Sequence, residues 1–264
     1  MRSSRRARAW AAKAAAEAPY LGLGIRDHDP LVLNFLTEVL TELLIKRAVR
    51  RGDVAIDAGA NQGLHTRHLL RAVGRRGHVH AFEPNPELAA RLRSWNDRRL
   101  SVHEVALGDA PGRAILHVPD DDDGWGSLYS DHLTGRSVAE FPVEIVRIDD
   151  LLSPHEAVKF AKLDVERSEL SALRGMSRML ESSRPLVVLE EAYDNRAWKV
   201  LAEVDYDVTD LVGRPLDSDD HRFVNLLGVP SELSDTWCFW PRRRELRELT
   251  LRHEALRQRV GDEP

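Results

Sequence analysis

The chain has 264 residues, 42% of them hydrophobic, which is enough for one large α/β domain rather than two. Its net charge of −5 and pI near 6.1 supply no global basic field of the kind a nucleic-acid binder carries. The single cysteine, Cys238, excludes an internal disulfide and fits a reducing cytoplasm, and no apolar run reaches the ~18 residues of a membrane span.

Met1 to Ala18 is rich in alanine and in basic residues (Arg2, Arg5, Arg6, Arg8, Lys13) and lacks the apolar core of a signal peptide. It reads as a surface helix, with contact to an acidic partner or lipid as the alternative. Gly22, Gly24 and Pro30 mark a loop. Residues 1–30 are thus a basic extension, 31–240 a single domain, and 241–264 a charged helix. Leu31 to Val49 places Val32, Phe35, Leu36, Val39, Leu40 and Leu43 at helical spacing, and Gly52 follows its end. That helix should pack beside the first strand.

The organising stretch runs from Asp53 to Glu83. Val54, Ala55 and Ile56 read as a buried parallel strand closed by Asp57. Gly59, Asn61 and Gly63 follow, then a helix from Leu64 to Val73 ended by Gly74 and Gly77. His78 to Phe82 is a second strand with Glu83 at its tip. Gly63 precedes Glu83 by the ~20 residues expected between a glycine turn and a ribose-binding acid. The turn is G-x-x-x-G, so the three-glycine dinucleotide fingerprint is missing, and no Gly-Lys-Ser/Thr follows. A carboxylate at Asp57 would repel phosphate and suit a cationic amine. S-adenosylmethionine, with an amine, a ribose and no phosphate, fits both features.

Pro86 to Trp95 is a helix with proline in its first turn. Ser101 to Leu107, Ala114 to Val118 and Phe141 to Ile148 read as strands. Asp120 to Asp123 reads as a solvated acidic loop, and Trp125, Leu128 and Tyr129 as either a lid or a surface hairpin. Val158 to Val165 is a core strand ending in Asp164 and Glu166, followed by a helix to about Ser182. Pro185 to Leu189 is another, ending in Glu190 and Glu191. Trp198 to Val204 is helical, and Asp207 to Val212 with Phe223 to Gly228 forms a final antiparallel pair. In the tail, Leu246, Leu249, His253, Leu256 and Val260 make a short coiled-coil-like stripe, packing on its own domain or joining copies of the chain. The βαβ alternation predicts a mainly parallel sheet with helices on both faces. Asp57, Glu83, Asp164 and Glu190 then converge at strand carboxyl ends, where such sheets bind ligands.

Taken together, the segments AIDAGANQGLHT (55–66), HAFEPNPE (80–87), EVALGD (104–109), RIDDLL (147–152), KLDVERSELSALRG (162–175) and VVLEE (187–191) resemble the FkbM-type S-adenosylmethionine-dependent methyltransferases. The resemblance implies a class I methyltransferase fold, Rossmann-like, with a seven-stranded sheet. It also implies O-methylation, commonly of a sugar or natural-product hydroxyl; it is the charge balance that argues against a nucleic-acid partner. The resemblance places Asp57, Gly59, Asn61 and Gly63 around the methionine part of the cofactor, Glu83 at the ribose, and Ala106 and Leu107 near adenine. The matched segments add Thr66, Pro84 and Asn85. One position departs: the family's glycine after D-V-E is Arg167 here, which would narrow or recharge the site.

Removing a hydroxyl proton calls for a base, and Asp164, Glu166 and Glu190 are the candidate catalytic residues. Glu169 reads equally as charge favoured in a first helical turn. His65 and His68 lack a third metal ligand, and no structural metal is expected. A divalent ion held by Asp164 and Glu190 is a subordinate alternative. The rival readings are a nicotinamide-dependent oxidoreductase and a catalytically degenerate scaffold of the same fold.

Overall fold

The computed structural model describes residues 30–120, 126–129, 137–190, 196–211 and 225–234. The N-terminal extension, Asp121 to Asp123, Trp125, Glu191, Val212, Phe223 and the tail from Pro241 lie outside the described residues.

The elements follow one another as α1 (Pro30–Ala48), β1 (Val54–Ala58), α2 (Leu64–Val73), β2 (His78–Phe82), α3 (Pro86–Arg93), β3 (Leu100–His103), β4 (Ala106–Leu107), β5 (Gly112–Pro119) and β6 (Val138–Val146). Then come α4 (Ile148–Leu151), β7 (Val158–Leu163), α5 (Glu169–Gly175), α6 (Ser177–Ser182), β8 (Leu186–Glu190), α7 (Trp198–Glu203), β9 (Tyr206–Asp210) and β10 (Asn225–Pro230). Seven strands form one sheet in the order β3-β2-β1-β7-β8-β10-β9. Its pairs are parallel except those made by β10, which runs antiparallel to both β8 and β9. This is the seven-stranded class I methyltransferase sheet. The glycine turn lies between β1 and α2 and Glu83 follows β2, as the sequence predicts.

Alternation along the central strands sorts side chains between two cores. Ala55, Phe160 and Val188 join Leu44 and Ile45 of α1 and Leu69 and Val73 of α2 on one face. Ile56, Ala58, Ala161, Leu163, Val187 and Leu189 face Leu173, Met176 and Leu180 of α5, α6 and the link between them. By the same parity Asp57, Lys162 and Glu190 project to the α1/α2 face. The helix before β1 therefore packs where its apolar spacing predicts. His65 and His68 of α2 serve the same packing: His65 Nε2 lies 3.0 Å from Glu38 and His68 Nδ1 3.7 Å from Glu42.

Three expectations are corrected. The stretch read as one strand from Ser101 to Leu107 is two strands, because β3 pairs with β2 while β4 leaves the main sheet to pair with β6. β4, β6 and β5 make a separate three-stranded sheet, with β5 antiparallel to β6. The stretch read as strand to Ile148 ends at Val146, and Ile148 to Leu151 is a helical turn. Finally, the helix read from Glu169 to Ser182 is broken at Met176, whose φ of −118° leaves helical geometry. The buried Asp149 carboxylate accepts from Arg178 N at 2.7 Å and Met179 N at 3.1 Å, capping the new helix.

Candidate active site

A pocket opens at the carboxyl ends of β1, β2 and β7. Gly59 and Asn61 line it from the glycine turn, and Phe82, Glu83, Pro84 and Asn85 from the end of β2. Val105, Ala106 and Leu107 form an apolar wall, and Asp164, Val165, Glu166 and Ser168 close the side after β7. Leu116 of β5 with Gly126 and Leu128 cover it from the small sheet.

Close packing explains the turn residues. Gly59 has φ +74°, and a Cβ there would stand 1.6 Å from the carbonyl oxygen of Asp164. Only glycine lets β1 pass the end of β7 so closely. Gly63 has φ +85°, and a Cβ there would meet the Trp95 ring at 2.3 Å. Gly63 thus serves the seating of α2 against Trp95, and it does not line the pocket.

The two acids at the ends of β1 and β2 behave differently. Asp57 lies within β1, fully buried, and does not line the pocket. Its Oδ2 accepts from Thr66 Oγ1 at 2.5 Å, and its Oδ1 has no hydrogen-bond partner among the described residues. Thr66, also a candidate, is likewise behind the lining. Glu83 faces the pocket while pinning both turns: its Oε2 accepts from Asn61 N at 2.6 Å and its Oε1 from Asn85 N at 2.9 Å. Burial pushes its carboxyl up to about 7 against the pull of those two N–H groups. Asn85 caps α3, its Oδ1 accepting from Glu87 N at 2.9 Å.

The candidate catalytic acids come together. One carboxylate oxygen each of Asp164, Glu166 and Glu190 lie within 4.8 Å of one another. Asp164 and Glu166 line the pocket, and Glu190 stands behind Asp164. Sequence reasoning missed the group that organises them, Lys162. Its Nζ donates to Asp164 Oδ2 at 2.7 Å, and the side chain is 3% exposed. Burial opposes ionisation of Asp164, but the Lys162 ammonium and the hydrogen bond with Glu190 outweigh it and hold the Asp164 carboxyl below the usual range. Burial and the Asp164 charge push Glu190 far upward, so Glu190 carries a proton at neutral pH. Glu190 is therefore a donor to Asp164 and not a free base. Within the cluster one ammonium and one proton answer two of the three carboxylates. The only sequence signal for Lys162 was a lysine set between Ala161 and Leu163 in a core strand. The lining residues Leu88, Leu116 and Ser168 carried none.

Arg167 does not line the pocket. Glu166 and Arg167 take φ +48° and +76°, the left-handed region in which a glycine is unstrained. The Arg167 guanidinium lies 5.2 Å from the centre of the Tyr129 ring. Beside it Ser127 Oγ donates to Glu166 O at 3.4 Å and accepts from Tyr129 N at 3.1 Å. The turn after β7 and the segment 126–129 thus clasp one another at the pocket's edge. Glu169 is buried, and its carboxylate accepts from Val165 N at 3.0 Å, holding the same turn.

Over 82 residues the chain is 29% identical to the ribosomal RNA small subunit methyltransferase H of Alteromonas mediterranea, a match covering 31% of this chain and 26% of that relative. Among solved structures it is similar to an FkbM methyltransferase from Methylobacillus flagellatus KT, at 20% identity over 83% of this chain and 60% of that one, with a TM-score of 0.44. It is also similar to Aeropyrum pernix fibrillarin in complex with natively bound S-adenosyl-L-methionine, at 14% identity over 74% and 76% of the two chains, with a TM-score of 0.44. The family model "Methyltransferase FkbM domain" matches residues 57–221, more than half of the chain and all of the pocket lining from Gly59 to Ser168. The chain belongs to the FkbM methyltransferase family.

Proposed function

We propose that this chain is an S-adenosylmethionine-dependent O-methyltransferase acting on a hydroxyl of a sugar or natural-product small molecule. The observation that carries this reading is the meeting of Glu83 and Asp164 in one pocket at the strand ends, Glu83 pushed up to about 7 by burial and Asp164 held below the usual range beside Lys162.

The residues fit the cofactor. Each Glu83 oxygen accepts one N–H, and a carboxylate has about four lone-pair sites, which leaves acceptors for a ribose diol. Val105, Leu107 and Leu88 offer apolar surface to a purine. Ser168 Oγ is buried in the lining without a partner among the described residues, an unmet donor of the kind a polar ligand satisfies. S-adenosylmethionine supplies an electrophilic methyl group when bound. Asp164, held ionised, orients the acceptor hydroxyl and receives its proton. Glu190 stabilises that charge through its own proton, and Glu166 flanks the acceptor side. Leu116 and Leu128 restrict water from above.

Calorimetry with S-adenosylhomocysteine and with NAD tests the cofactor, and transfer of labelled methyl from S-adenosylmethionine to a panel of hydroxylated glycosides and polyketides tests the chemistry. We expect binding of the thioether, none of NAD, and label in an ether-linked methyl. Asp164→Asn or Glu166→Gln should lower turnover by roughly 10²–10⁴-fold. Binding of NAD but not of S-adenosylhomocysteine overturns the reading.

A further inference from the structure

Lys162 is a charge buried in the middle of the sheet, and it belongs to no helix end, loop or surface. Its strand is flanked by β1 and β8, and in register it stands beside Asp57 on one side and Val188 on the other. A buried ammonium is tolerated only when paired. Lys162 is paired once by contact, through Asp164 Oδ2 at 2.7 Å. The groups that face this pair are Asp57 from β1, Glu190 from β8, Glu38 from α1 and His65 from α2, with Glu83 and Glu166 at the pocket. Five of these six groups are acids, and Glu83 and Glu166 line the pocket. Besides Lys162, His65 is the one basic side chain in that group, and it already lies against Glu38. Without the Lys162 ammonium, the carboxylate that reaches the pocket would gain a proton and lose its field.

That field has a use. The methyl donor and the product that remains after transfer differ by the methyl group and by the charge on sulfur: the donor's sulfur is a sulfonium cation and the product's is a neutral thioether. A fixed anion in the lining reads that difference in charge, which hydrogen-bond donors and apolar walls do not. We propose that Lys162 is a positioning residue that fixes the negative charge of Asp164 in the pocket, and that this charge makes the site prefer the sulfonium donor over its thioether product. The proposal rests on the reading that the pocket takes S-adenosylmethionine.

The test is calorimetric and needs no acceptor. The ratio of the S-adenosylhomocysteine and S-adenosylmethionine dissociation constants is measured from pH 5 to 9 for the wild type, Asp164→Asn, Lys162→Met and the double variant. Each variant is compared with the wild type at the same pH, so the ligands' own titrations cancel. Asp164→Asn should cut the preference for the sulfonium by ~10-fold at every pH. Lys162→Met should show the same loss at low pH and recover it at high pH, as Asp164 gives up the proton it gains without its ammonium. The double variant should show the loss without recovery. A merely structural lysine would weaken both ligands equally and leave the ratio flat. That result, or an unchanged ratio in Asp164→Asn, overturns the proposal. Lys162→Gln is the second variant should Lys162→Met not fold. If the wild type binds neither ligand, the cofactor assignment falls instead, and the two failures are distinct.

Discussion

Glu83→Gln separates what this carboxylate costs the fold from what it contributes to the ligand. Burial raises its carboxyl from an ordinary 4.5 to about 7. Below 4.5 Glu83 is protonated in both the folded and the unfolded chain. Between 4.5 and 7 the folded state holds a proton that the unfolded chain has lost, so stability falls as pH rises through this window and levels off above it. The gap is worth about 3 kcal/mol. Glutamine has no charge to lose, so urea melts of the free protein should show the wild type losing about 3 kcal/mol more than Glu83→Gln between pH 5 and 8. The variant also turns one oxygen into an amide nitrogen opposite an N–H of Asn61 or Asn85, a penalty of roughly 1–3 kcal/mol that is independent of pH. Ligand binding should run the other way. A ribose diol donates to the ionised form, so S-adenosylhomocysteine affinity in the wild type should weaken as pH falls below 7. At pH 8 Glu83→Gln should bind roughly 10- to 100-fold more weakly, and near pH 5.5 the two should converge. Parallel stability curves together with equal affinities at pH 8 would refute both the burial argument and the ribose assignment.

Three further outcomes follow from the packing. Gly59→Ala places a methyl 1.6 Å from the Asp164 carbonyl at φ +74°, so it should cost more than ~2 kcal/mol in urea unfolding and disturb Asp164. A neutral substitution would mean that β1 and β7 do not approach this closely. Arg167→Gly relieves a left-handed penalty of roughly 1–2 kcal/mol but gives up a cation–π contact of roughly 0.5–1 and chain entropy of roughly 0.5–1. It should therefore melt within about 1 kcal/mol of the wild type, whereas Arg167→Val, keeping the strain without the contact, should fall clearly below it. Thr66→Val removes the donor to Asp57 and should cost about 1–3 kcal/mol by denaturant melt. Cofactor affinity should change little, because Thr66 lies behind the lining; a large loss would place Asp57 and Thr66 at the ligand after all.

Where the chain carries a local rule, the sequence is a sufficient guide. The helix from Leu64 to Val73 and the strand from His78 to Phe82 were predicted to the residue, because glycines bound the one and alternation with a turn bounds the other. The split of Ser101 to Leu107 between two sheets was not legible: both halves are extended and no glycine or proline separates them, so only the choice of hydrogen-bonding partner distinguishes them. The break at Met176 was hidden for a related reason, since its cause is the Asp149 carboxylate, distant in sequence.

The site divides along the same line. The sequence by itself put Glu83, Asp164 and Glu190 at the carboxyl ends of predicted parallel strands, and parallel direction sets all such ends on one edge of the sheet. It also marked position 167 as unusual, and the positive φ there is the physical reason. Only the tertiary structure decided which acids face the ligand and which are charged. Alternation turns Asp57 inward to Thr66, burial raises Glu83, and a lysine from the core of β7 holds Asp164 ionised while Glu190 keeps its proton. Protonation state depends on desolvation and on charges a few ångströms away, and neither quantity is a property of one residue's place along the chain.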